Sequence, residues 1–100
     1  MRYKGDRETI RKIKQILSTI EEPTTGLDLI TGEFIDEIEI DFTRIIIHIK
    51  DLYPMAYHPF NLFLASYITN TLAKKIVESL NKAGFTEVLV VGGKREEKIL

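Results

Sequence analysis

Cysteine is absent from the sequence, which excludes disulfides, thiolate metal sites and a cysteine nucleophile supplied by this chain. A reducing compartment is compatible with that absence. Long apolar runs are missing too: none reaches the roughly 18 residues of a membrane-spanning helix, and the opening MRYKGDRETI lacks the apolar core of a signal peptide. The expectation is a soluble, cytoplasmic protein with no membrane partner. Charge of one sign is not in excess either, since 14 Lys and Arg face 15 Asp and Glu. The overall field therefore steers the chain toward neither nucleic acid nor an anionic membrane. Catalytic signatures are lacking as well: no Gly-x-Ser-x-Gly, no phosphate-binding loop, no dinucleotide fingerprint and no His-Glu-x-x-His. A non-enzymatic role follows as the expectation.

One hundred residues with 44% hydrophobic content suit one compact domain, large enough for a single core and too small for two. The domain is expected over residues 1–91, with GGKREEKIL from Gly92 onward as a frayed tail. Charge is uneven along it. Arg2, Lys4, Arg7, Arg11, Lys12 and Lys14 make the start basic against Asp6 and Glu8, whereas Glu21 to Asp41 holds carboxylates and no Lys or Arg.

Periodicity gives the elements. Ile10, Ile13, Ile16 or Leu17, and Ile20 recur at helical spacing after Asp6, a suitable N-cap, predicting a helix over about residues 7–20. Pro23 and Gly26 then break the chain, and a short extended piece is expected at Leu27 to Thr31. In EFIDEIEIDF, Phe34, Ile38, Ile40 and Phe42 alternate with Ile35, Glu37, Glu39 and Asp41, the two-residue period of a strand with one wet face. Asp36 is the exception on the apolar side. RIIIHIKD supplies the next strand, and the tight link from Asp41 to Thr43 predicts an antiparallel hairpin. A second helix is expected over about residues 59–83, opened by Pro59, closed by Gly84 and striped by Leu64, Ala65, Ile68, Leu72, Ile76 and Leu80. TEVLVV is the last strand. The fold class is thus α+β: a small two-layer sandwich, helix-strand-strand-helix-strand, with a mixed sheet and helices on one face.

His58 precedes that second helix, where free N–H groups and the helix dipole converge and where an anion or ligand can be held. Glu22-Pro23-Thr24, Gly26, Glu33-Phe34-Ile35 and His58-Pro59, in this order of elements, resemble the iron-sulfur cluster assembly domain family, also known as domain of unknown function 59. The resemblance spans about Ile10 to Val91, and His58 stands where many members carry a cysteine. It implies a non-catalytic accessory or adaptor protein in iron-sulfur or metallocluster assembly. An iron-sulfur cluster, iron or zinc would be held transiently, with His58 and Glu22 as metal ligands. Imidazole can ligate iron or zinc but cannot take part in thiol transfer. A capping or loop histidine is the plainer reading of His58.

Tyr53, Tyr57, Pro59 and Phe60 are the expected partner contacts, together with Phe63 if these aromatics do not instead close the end of the core. The partners would be cluster-assembly or client proteins, or a second copy in a homodimer. His48 reads as an exposed sheet residue. Glu37, Glu39 and Asp41 read as a charged face that discourages sheet aggregation or meets a basic partner. Glu22, Asp28 and Glu33 read first as a solvated acidic loop; the resemblance implies instead that they gather near the His58 loop and help hold a divalent ion. Two other readings stay open: an interaction module that has lost metal chemistry, and a weak RNA binder using the basic first helix with Tyr3.

Overall fold

The computed structural model describes residues 1–50, 59–92 and 97–98, with side chains described over 1–50 and 67–92. Its elements are β1 (Arg2–Lys4), α1 (Arg7–Leu17), β2 (Ile35–Asp41), β3 (Arg44–Ile49), α2 (Pro59–Lys82), β4 (Glu87–Gly92) and β5 (Glu97–Lys98). They form the expected α+β arrangement around one mixed sheet of order β1-β2-β3-β4-β5. β1 runs parallel to β2, β2 and β3 form the hairpin, β4 runs parallel to β3, and β5 is antiparallel to β4. Each helix therefore bridges two neighbouring parallel strands. β1 was not legible in the sequence, being three residues long and exposed throughout. β5 lies within the segment expected to be a frayed tail.

Asp6 caps α1, its carboxylate accepting from the Thr9 amide and hydroxyl, each at 2.9 Å. The helix ends at Leu17, three residues earlier than the apolar period suggests. There the Ser18 and Thr19 hydroxyls donate to the carbonyls of Gln15 and Ile16, a local alternative to further helical bonding. Ile20 still reaches the core from outside the helix. α2 ends as its Gly84 implies. The Phe85 amide donates to the Leu80 carbonyl and the Gly84 amide to that of Asn81, with Gly84 at φ 102°, a Schellman cap. Phe85 packs on the core beyond it.

Ile10, Ile13 and Leu17 of α1 and Ile68, Leu72, Ile76 and Leu80 of α2 join Ile38, Ile45, Ile47, Ile49 and Val90 in one core. The strand members share one sheet face by alternation and register, so both helices pack on that face and the other carries no helix among the described residues. Burying each such side chain contributes about 1.5–3 kcal/mol.

β2 departs from simple alternation. Ile35 pairs with Ile49 and Glu37 with His48, so Asp36 is an extra residue without a partner on β3, a β-bulge. Asp36 is exposed, not on the buried side, and Ile35 and Ile38 both face the core. Residues Leu27 to Thr31 are not an extended piece beyond the single bridge Glu21↔Asp28. The reason is Asp28, whose carboxylate takes the amides of Ile30 and Thr31, each at 3.0 Å, and so turns the chain.

Phe42, expected on the apolar side of the strand, is 96% exposed at the hairpin tip. The pair Asp41↔Arg44 leaves Phe42 and Thr43 as a two-residue turn, and Phe42 has φ 57°. Tight hairpin turns need positive φ at a central residue, which favours glycine over a bulky side chain. Replacing Phe42 by glycine should therefore raise stability by roughly 0.5–1 kcal/mol. Urea unfolding of the variant tests this, and a loss of stability would show that the ring contributes more than its conformation costs.

Candidate metal centre

The bulge decides which residues share the outer face of the sheet. Had β2 alternated without interruption from Ile35, Glu37 would face the core. The unpaired Asp36 restores Glu37 to the outer face beside Glu39. Across the hairpin, His48 is opposite Glu37 and points the same way, since Ile47 and Ile49 on either side of it are in the core. The outcome is two carboxylates and an imidazole converging from adjacent strands. His48 Nε2 lies 3.3 Å from Glu39 Oε1 and 3.8 Å from Glu37 Oε1. One donor atom from each residue falls within 4.8 Å of the others.

The shorter contact is a hydrogen bond between His48 and Glu39, and an ion would take its place with side-chain adjustments. Donors at about 2.1 Å from a tetrahedral ion are about 3.4 Å apart. The set of one nitrogen and two carboxylate oxygens suits borderline divalent ions such as zinc, iron(II) or manganese. Three protein donors leave at least one coordination position for water or a ligand.

Glu37 is the unusual member, at only 9% exposed. Among the described residues it accepts no hydrogen bond; its partners are His48 and the Arg2 guanidinium, the latter at 3.6 Å from Oε1. Arg2 comes from β1, whose register sets it beside Glu37, and Lys4 beside Glu39. No buried side-chain oxygen or nitrogen among the described residues lacks a hydrogen-bond partner, so the Glu37 carboxylate keeps water at its oxygens beside its two long ion pairs.

Of the residues expected to form a metal site, His58 lies outside the described residues, as do Tyr53 and Tyr57. Pro59 and Phe60 form the first turn of α2, and their side chains, like that of Phe63, also lie outside the described set. Glu22 is buried, and its own turn engages it. Oε1 accepts from the Thr24 amide and hydroxyl at 3.0 and 2.5 Å, and Oε2 from those of Thr25 at 2.8 and 2.7 Å. The Gly26 amide returns to the Glu22 carbonyl and the Glu22 amide donates to Leu27, closing the loop around the side chain. Asp28 is similarly occupied, and hydrogen bonds from Thr31 and Ile30 hold its carboxyl below the ordinary value. The three acidic loop residues do not form a cluster able to share an ion; among the described residues that arrangement belongs to Glu37, Glu39 and His48.

The sequence held a usable signal for this site. Counting back from a two-residue turn that sets Asp41 opposite Arg44 brings Glu37 opposite His48. Reading His48 and the acidic strand separately, each as a solvated surface, missed their meeting. Compared with known proteins, the chain matches no family model, no curated protein and no solved structure.

Burial pushes the Glu22 carboxyl up, but the hydrogen bonds from Thr24 and Thr25 together outweigh it and hold the group below its ordinary value. A folded-state value below the unfolded one, about 4.3 for glutamate, contributes stability above that pH and loses it as the pH falls through the folded value. Glu22→Gln presents an amide N–H₂ to one pair of donors and should cost about 1–3 kcal/mol at pH 7. Urea titrations from pH 7 down to pH 3 should find the gap to wild type narrowing in acid. A gap independent of pH would mean that the charge of Glu22 is not what holds the turn.

Proposed function

We propose that this protein is a non-catalytic metal-handling accessory protein, which holds one divalent ion at Glu37, Glu39 and His48. The observation that carries this reading is the convergence of Glu37, Glu39 and His48 on adjacent strands, one donor atom of each within 4.8 Å of the others. A bound ion would draw on both carboxylates and replace the hydrogen bond between His48 and Glu39. An adaptor role in iron-sulfur or metallocluster assembly is the use we assign to such a protein, supported by the likeness of the Glu22-Pro23, Gly26 and His58-Pro59 phrases to that family. The chain has no cysteine to give a cluster, and its nitrogen and oxygen donors fit a single ion better than an iron-sulfur cluster. Iron(II) delivery is therefore the more suitable part of that chemistry.

The exposed, conformationally costly Phe42 favours a second reading, a metal-free interaction module that grips its partner through the hairpin tip.

Calorimetric titration of metal-free protein with Mn²⁺, Fe²⁺ under anaerobic conditions, and Zn²⁺ separates the two. On the metal reading, wild type binds one equivalent. His48→Ala and Glu37→Gln should each lose at least the roughly 10–100-fold in affinity that follows removal of groups supporting a metal site, while circular dichroism stays that of the folded protein. Unchanged affinity in both variants would reject the site.

A further inference from the structure

The strand β1 adds two cations to the same face, and their position bears on what the ion would hold. Arg2, Glu37 and His48 form one row across β1, β2 and β3, and Lys4, Glu39 and Ile46 form the next. Arg2 touches Glu37 only at 3.6 Å, with 76% of its side chain exposed, and has no other polar partner among the described residues. A guanidinium carries five N–H donors in a planar fork suited to oxyanions. Most of that capacity is unspent.

The charges of the two rows change character when an ion binds. Without one, the carboxylates of Glu37 and Glu39 offset Arg2 and Lys4, and the patch attracts neither sign. A divalent ion takes up both carboxylates, and the two cations of β1 are left beside a metal with open coordination positions. That surplus of two positive charges matches a dianion. The other charged row, Asp41, Arg44 and Glu87, lies at the hairpin end of the face.

Resting on the metal-binding reading above, we propose that the occupied site takes a phosphate monoester, one phosphoryl oxygen on the ion and another on the Arg2 guanidinium. The ion brings its own charge to bear at close range, and Arg2 supplies geometric selection. Lys4 contributes charge from the adjacent row. Glu37 thereby has two states, paired with Arg2 in the empty site and with the ion in the filled one.

Titration of the full chain with Mn²⁺, with and without millimolar phenyl phosphate, tests this. Free Mn²⁺ is followed by its paramagnetic resonance signal, and acetate serves as the monoanionic control. Wild type should bind Mn²⁺ at least fivefold more tightly with phenyl phosphate present, within the usual range of coupling between two ligands, and acetate should give less. Arg2→Ala should bind Mn²⁺ alone at least as tightly as wild type, because Glu37 loses its competing partner, and should lose the enhancement. Arg2→Lys should recover part of it. Phenyl phosphate without effect on wild type, or an enhancement that persists in Arg2→Ala, overturns the proposal while the metal site stands. Failure of wild type to bind Mn²⁺, Fe²⁺ or Zn²⁺ at all removes both.

Discussion

A single extra residue in β2 governs the rest of this molecule. Strand side chains alternate strictly, so a buried isoleucine at position 35 and another at position 38 cannot both belong to one face of a regular strand. Asp36 absorbs the conflict by dropping out of the pairing with β3. Its consequences run in both directions from the bulge. Toward the core, Ile35 and Ile38 both pack beneath the helices. Toward the open face, Glu37 and Glu39 come onto one side and meet His48. The position agrees with the general use of bulges to re-aim a side chain next to a site.

The surrounding fold holds this register from several directions. The tight turn at Phe42 and Thr43 fixes the pairing of β2 with β3. A slip by one residue would drive Ile45, Ile47 and Ile49 out of the core, at about 1.5–3 kcal/mol for each. β1 is fastened differently, through Gly5. This residue has φ 131°, and a Cβ there would stand 2.7 Å from that of Ile40. Only glycine allows the chain to turn from β1 into α1 so close to the sheet. Arg2 and Lys4 therefore owe their places beside the carboxylates to a backbone requirement at the opposite side of the strand pair.

Punctuation and periodicity made most of this fold legible. Asp6, Pro59 and Gly84 marked helix ends, and the isoleucine run of β3 could hardly be anything but a strand. What escaped was set by pairing. β1 is too short and polar to carry a pattern, and its existence depends on an edge of β2 that only the assembled sheet provides. Phe42 looked like a strand residue because its spacing from Ile40 continued the period, while the turn beside it took precedence. Glu22 is expected as a ligand only because the resemblance implies an acidic loop beside His58. The threonines that engage it were in plain view at the next positions but one and two, and side-chain capture of neighbouring amides is a short-range habit that sequence can reveal. The meeting of Glu37 and His48 needed one more step, the conversion of turn length into register.

The same register bears on a purely structural account of the acidic strand. A charged outer face discourages sheet aggregation, and pairing with Arg2 and Lys4 is a reasonable way to balance it. That account suits Asp41, which is exposed beside Arg44. It suits Glu37 poorly. Its side chain is largely enclosed, with its carboxylate still reaching water, and it faces Arg2 and His48 at 3.6 and 3.8 Å rather than open solvent alone. If stability alone were at stake, an apolar residue of similar volume at this position would be neutral or better. A carboxylate retained there, with an imidazole and a second carboxylate turned toward it and a guanidinium 3.6 Å away, makes the strand pair an arrangement of groups able to hold a cation.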